Sequence, residues 1–121
     1  GENTSGAISS PYFSVDGDIH IVTLPDKGER TVFAEIEGDF GQALKTMITA
    51  GRNKVIIDAR KVKEINMLLI KFILSAVQNC QKFKIHLRIV GSPGIGTELK
   101  GFQETSGFTV NATVEDAKST F

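Results

Sequence analysis

The chain has one cysteine, Cys80, no excess of either charge, and no apolar run long enough to cross a bilayer. A single cysteine cannot form an intramolecular disulfide, which fits a reducing compartment. Its 14 Lys+Arg against 14 Asp+Glu give no overall field of the kind a nucleic-acid or anionic-membrane binder relies on. The most apolar stretch, residues 65–77, is interrupted by Asn66, Lys71 and Ser75 and is shorter than the about 20 residues of a spanning helix. These absences predict a soluble, cytoplasmic protein with no nucleic-acid partner and no membrane insertion. A chain of 121 residues, 40% apolar and 23% charged, suffices for one domain with its own core.

Strand-like and helix-like segments alternate along it. Residues 1–11 are mostly small and polar and read as a flexible lead-in, with one domain over 12–121. Residues 12–15 and 19–24 read as strands joined through Asp16-Gly17, and residues 25–28 as a turn. Residues 31–36 alternate, with Val32, Ala34 and Ile36 on one side, and read as a third strand. Residues 38–50 read as a helix burying Phe40, Leu44, Met47 and Ile48 and capped by Gly51. Residues 54–58 (KVIID) have the unbroken apolar centre of a parallel strand covered on both faces.

A long helix is predicted over 66–83, with Ile70, Ile73, Leu74, Val77 and Cys80 as its inward stripe. Residues 84–90 alternate as a strand. A helix carrying Ile95, Leu99 and Phe102 then runs to about Gly107, residues 108–111 form a short strand, and Thr113 opens a last helix. Strands alternating with helices imply an α/β fold with a largely parallel sheet.

No catalytic set can be assembled. His20 and His86 sit in strands without a Cys, Asp or Glu at ligand spacing, so they read as partly exposed strand residues and no metal site is expected. Cys80 lies on an inward stripe with no base beside it and reads as an inert thiol. Residues 60–64 read as a solvated charged loop. Asp58 ends the central strand at the carboxyl edge, where α/β proteins place their sites, but a lone carboxylate equally braces the next loop. The turn containing Gly91, Ser92, Gly94 and Gly96 joins a strand to a helix, a place where backbone N–H groups can cradle phosphate. Its spacing matches neither the P-loop nor the dinucleotide fingerprint.

The run Lys54-Val55-Ile56-Ile57-Asp58-Ala59-Arg60-Lys61-Val62, then a loop and an apolar helix, resembles the core of STAS domains (sulfate transporter and anti-sigma factor antagonist). The later order Val90-Gly91-Ser92-Pro93, Leu99, Thr105-Ser106-Gly107-Phe108 resembles that family's strand, Ser-Pro turn, helix and Thr-Gly-Leu run. The resemblance covers about residues 12–121. It implies a mixed, largely parallel sheet of four to five strands packed with about four helices. It also implies a non-enzymatic bacterial signal-transduction module, without cofactor, that binds an anti-sigma factor kinase or another ATPase. In that family a serine opening the central helix is phosphorylated, and the added charge, about two units, breaks the interface.

Here the segment departs from the family. Asn66-Met67-Leu68-Leu69 stands over the family's Asp-Ser-Ser-Gly, and Leu68 occupies the acceptor position with no hydroxyl to phosphorylate. Asn66 can still cap the helix. By helical spacing Leu68 shares the polar stripe of Lys71, Ser75, Gln78 and Lys82, so it is expected to be exposed beside Met67. Two readings stand open. Either the loop at 60–65 folds over Leu68, or Asn66, Met67, Leu68 and Lys71 form a patch that docks a partner constitutively. A different function class is small-ligand binding, with a nucleotide, anion or lipid held at Asp58, Gly91, Ser92, Gly94 and Gly96.

Overall fold

The computed structural model describes residues 11–27 and 29–121. Residues 1–10 of the expected lead-in, and Gly28 of the expected turn, lie outside the described residues. Nine elements follow: β1 (Phe13–Asp16), β2 (Ile19–Thr23), α1 (Arg30–Ala50), β3 (Lys54–Asp58), α2 (Met67–Lys82), β4 (His86–Val90), α3 (Pro93–Leu99), β5 (Val110–Asn111) and α4 (Val114–Lys118). The strands form one sheet in the order β1-β2-β3-β4-β5. Only the β1–β2 hairpin is antiparallel, turning at Gly17 with φ of 64°; the other pairs are parallel. This is the α/β architecture that the alternation implied.

The sheet's alternation divides the core in two. Val22, Val55, Ile57, Leu87 and Ile89 face the apolar stripes of α1 and α2, with Ile95 and Leu99 of α3 closing the end. Three phenyl rings tie the helices together: Phe72 of α2 sits 5.9 Å from Phe33 and 5.8 Å from Phe40 on α1. The opposite face buries Ile19, Ile56 and Val90 under Ala117 of α4. Arg88 fastens this side, donating to the Thr120 hydroxyl at 2.6 Å and the Thr120 carbonyl at 2.9 Å, with its guanidinium 4.7 Å from the Phe121 ring.

Several boundaries differ from the sequence reading. Residues 31–36 are not a strand but the first turns of α1. Val32 and Ile36 are one helical turn apart as well as alternate, so the pattern fits both periods. Phe33 decides the matter, because Phe33, Ile36, Phe40, Ala43, Leu44 and Met47 form one buried helical face while Ala34 is exposed. Ile48 is 46% exposed, not inward, since one residue past Met47 the helix has turned by about 100°. Gly51 caps α1 in the left-handed region, φ 72°, as expected.

Strand β4 starts at His86 rather than residue 84, because Lys84 takes a positive φ of 58° and the Ile85 N–H closes back on the Cys80 carbonyl at 2.7 Å. Helix α3 stops at Leu99 instead of near Gly107. Beyond it Gly101 and Phe102 turn tightly onto Glu98 and Leu99, and the buried Thr105 hydroxyl donates to the Leu99 carbonyl at 2.5 Å. That hydrogen bond satisfies a helix-end carbonyl and ends the helix.

His20 is buried rather than partly exposed, at 7%, and its Nδ1 has no hydrogen-bond partner among the described residues. Its pKa is lowered, first by burial and then by the nearby Arg52 charge. The unfolded chain therefore takes up a proton near pH 6.5 that the folded chain refuses. Stability is accordingly full above pH 6.5 and falls as the pH drops below it, by at most about 1.4 kcal/mol per unit from this site. Urea unfolding between pH 7.5 and 5.5 should show this decline, and His20→Val should flatten it.

Candidate functional site

Parallel strands deliver the starts of their following helices to the carboxyl edge of the sheet. There the loop between β3 and α2 is held from below by Asp58. Its side chain is 7% exposed and accepts from the Arg60 backbone N–H at 3.1 Å, Arg60 Nε at 3.0 Å and Arg60 Nη2 at 2.9 Å. Arg60 is thereby held further in its charged form, its pKa raised by the hydrogen bonds to Asp58. Asp58 is thus a brace for the loop, and residues 60–64 are anchored at Arg60 rather than free in solvent. Lys61, Lys63 and Glu64 are exposed.

The glycine turn is packed from within. The Gly91 N–H donates to Asn111 at 2.9 Å, and a Cβ placed on Gly91 would lie 2.8 Å from Ile95 Cδ1. A Cβ on Gly94 would meet Ile65 of the preceding loop at 3.1 Å. These glycines let α3 fold tightly against the end of β4 and against the β3–α2 loop. Ser92 is exposed and precedes α3 without a side-chain capping bond, and Gly96 lies against Val110. Asp58 and the glycine turn, predicted to share a ligand edge, both brace and seat neighbouring loops at the carboxyl edge.

Helix α2 opens as its cap residue dictates. Asn66 Oδ1 accepts the Leu69 N–H at 3.1 Å, so the first turn is fixed. Met67 projects outward, 57% exposed, and Lys71 follows one turn later, also exposed. Leu68 corrects the expectation. It is half-buried and packs on the main core, so the wheel that put it on the polar stripe overstated its exposure. Val62 and Ile65 of the braced loop pack on the same core. The exposed apolar side chain at this helix start is Met67.

Beside Asn66 lies an open depression of about 340 Å³ lined by Asp26, Lys27, Glu29, Lys63 and Glu64. The sequence reading missed this juxtaposition, because Asp26 and Glu29 are brought to the α2 loop only by the parallel crossover. Cys80 and the histidines stand apart from the helix start. Cys80 is 1% exposed and burial pushes its thiol up to about 12, while His86 is exposed at the start of β4. Among the described residues no three His, Cys, Asp or Glu side chains are grouped to hold a metal, and no helix is long and apolar enough to cross a membrane.

No family model and no curated protein matches the sequence. Among solved structures, the chain is similar to a Thermotoga maritima protein described as a candidate anti-sigma factor antagonist. The TM-score is 0.68 at 13% identity, covering 89% of this chain and 91% of that one. The two therefore share a fold, the mixed five-stranded sheet with four helices that the STAS resemblance implied.

Two outcomes test this description of the site. Cys80 should resist thiol reagents in the native protein and react at once in denaturant, as a buried neutral thiol does. Asp58→Ala should lower stability by about 1 kcal/mol, because it removes the brace yet leaves Arg60 free to reach water; urea unfolding measures it.

Proposed function

We propose that the chain is a non-enzymatic regulatory module that holds a protein partner at the start of α2. The observation that carries this reading is Met67, 57% exposed on a capped, braced helix end whose first turn, Asn66-Met67-Leu68-Leu69, has no hydroxyl. A large apolar side chain fixed at a rigid edge supplies contact area without the entropy cost of ordering a loop. The partner is of the kind that the STAS resemblance implies, an anti-sigma factor kinase or another ATPase, in line with a structural relative described as an anti-sigma factor antagonist. Asn66, Met67 and Lys71 form the docking patch, and Leu68 supports it from below.

In this reading the complex is constitutive at this position. A phosphorylated serine at a helix start places a dianion in the interface, and Leu68 has no oxygen to receive it. Release, where it occurs, comes from competition or from concentration.

The reading is checked by affinity purification from the source cells, identification of the partner by mass spectrometry, and binding of the purified pair. Met67→Asp should weaken binding tenfold or more with an unchanged melting temperature. Leu68→Ala should instead cost about 1–2 kcal/mol of stability, less than a fully buried leucine, with a smaller effect on binding. Adding a serine kinase and ATP should leave the complex intact. Binding that survives Met67→Asp would contradict the proposal.

A further inference from the structure

We infer that the docking surface extends along the whole solvent face of α2 and is built for an acidic segment of a protein partner. This rests on the docking reading above and adds the partner's chemistry. Between residues 60 and 84 stand six cations, Arg60, Lys61, Lys63, Lys71, Lys82 and Lys84, against one anion, Glu64. Across the whole chain the charges balance, so this stretch gathers a basic excess that the rest of the chain offsets.

All six cations are exposed. Arg60 is paired with Asp58, and Lys82 lies 5.5 Å from the Phe83 ring. Among the described residues no carboxylate pairs with Lys61, Lys63, Lys71, Lys82 or Lys84. Lysines elsewhere do find one, Lys54 with Asp18 and Lys118 with Asp16 and Glu115.

Helix α2 itself contains no acidic residue; beside its positive end, Asp26, Glu29 and Glu64 share the depression at Asn66 with Lys27 and Lys63. Lys63 shares that depression with these carboxylates, whereas Lys71 and Lys82 stand on the helix with no carboxylate paired to them among the described residues. A complementary carboxylate surface on the partner supplies that pairing.

Met67, Lys71, Ser75, Gln78 and Lys82 succeed one another at helical spacings on one face. Met67, 57% exposed, opens this face, and Phe83, 45% exposed, follows its last lysine at the helix C-cap, about 24 Å further along the axis. A helix of matching length, with carboxylates placed opposite Lys71 and Lys82 and an apolar residue near each end, fits this pattern. The apolar stripe of α2, from Leu69 to Cys80, is spent on the core. An interfacial membrane helix needs that stripe free, which disfavours a lipid surface. The one arginine of the set is closed on Asp58, which removes the bidentate phosphate contact typical of nucleic-acid recognition.

The test is an amide NMR titration of the full chain with an 18-residue helical peptide bearing glutamates along one face and a leucine near each end. Peptides with Gln or Lys in place of Glu, phosphatidylserine vesicles and a single-stranded oligonucleotide serve as further arms. The Glu peptide should shift the amides of Met67, Lys71, Gln78, Lys82 and Phe83, and bind at least tenfold more weakly in 0.5 M salt. The double variant Lys71→Glu, Lys82→Glu should also lose tenfold or more, and the Gln and Lys peptides should leave these amides unmoved.

Equal binding of the Gln peptide, abolished by Met67→Asp, would overturn the acidic preference and leave the docking reading standing. No shift on α2 with any peptide would overturn both. Tighter binding of vesicles or oligonucleotide on this face would overturn the protein partner in favour of that class.

Discussion

The fold is organised by the need to cover β3 on both sides. Val55, Ile56, Ile57 and Asp58 are all buried, and a strand in that position forces its neighbours into parallel pairing with helical crossovers. One face takes α1 and α2, joined through Phe33, Phe40 and Phe72; the other takes the short α4. Once the core has used the inner stripe of α2, what remains of that helix for the outside world is narrow and specific. It consists of Met67 at its start, Phe83 at its cap, and a polar face with Lys71, Gln78 and Lys82 between them.

That division gives the start of α2 its rigidity. The chain leaves β3 through an Asp58–Arg60 brace, packs Val62 and Ile65 inward, and enters the helix through the Asn66 cap. Next to it, Gly91 and Gly94 let α3 and the β3–α2 loop approach each other closely. In the proposed complex a surface held this firmly loses little entropy on association, so that even a small apolar contact at Met67 contributes. Within this rigid turn Leu68 is half-buried and acts as a packing residue.

Much of this was legible in the amino-acid order. The buried run at 54–58, the amphipathic period of α2, the Asn66 cap and the Gly51 terminus are local signals, and each was realised. Residues 31–36 were misread because Val32 and Ile36 satisfy a period of two and a period of 3.6 alike; only the longer row from Phe33 to Met47 separates them. The exposure of Leu68 was overestimated for a different reason. A wheel sees one helix and not the core it packs on, against which Leu68, Val62 and Ile65 are all partly buried. The approach of Asp26 and Glu29 to Glu64 was likewise invisible, being a product of the crossover. The charge excess over 60–84 was present in the sequence throughout, masked by totals that cancel.

Hydrogen–deuterium exchange of the chain, alone and in complex with the partner recovered from its source cells, tests the central claim most directly. The account expects new protection over residues 61–71, at the start of α2, with α4 and the strand face beneath it unchanged. Protection confined to α4 and the Arg88–Phe121 side, with the start of α2 exchanging as in the free chain, would contradict it.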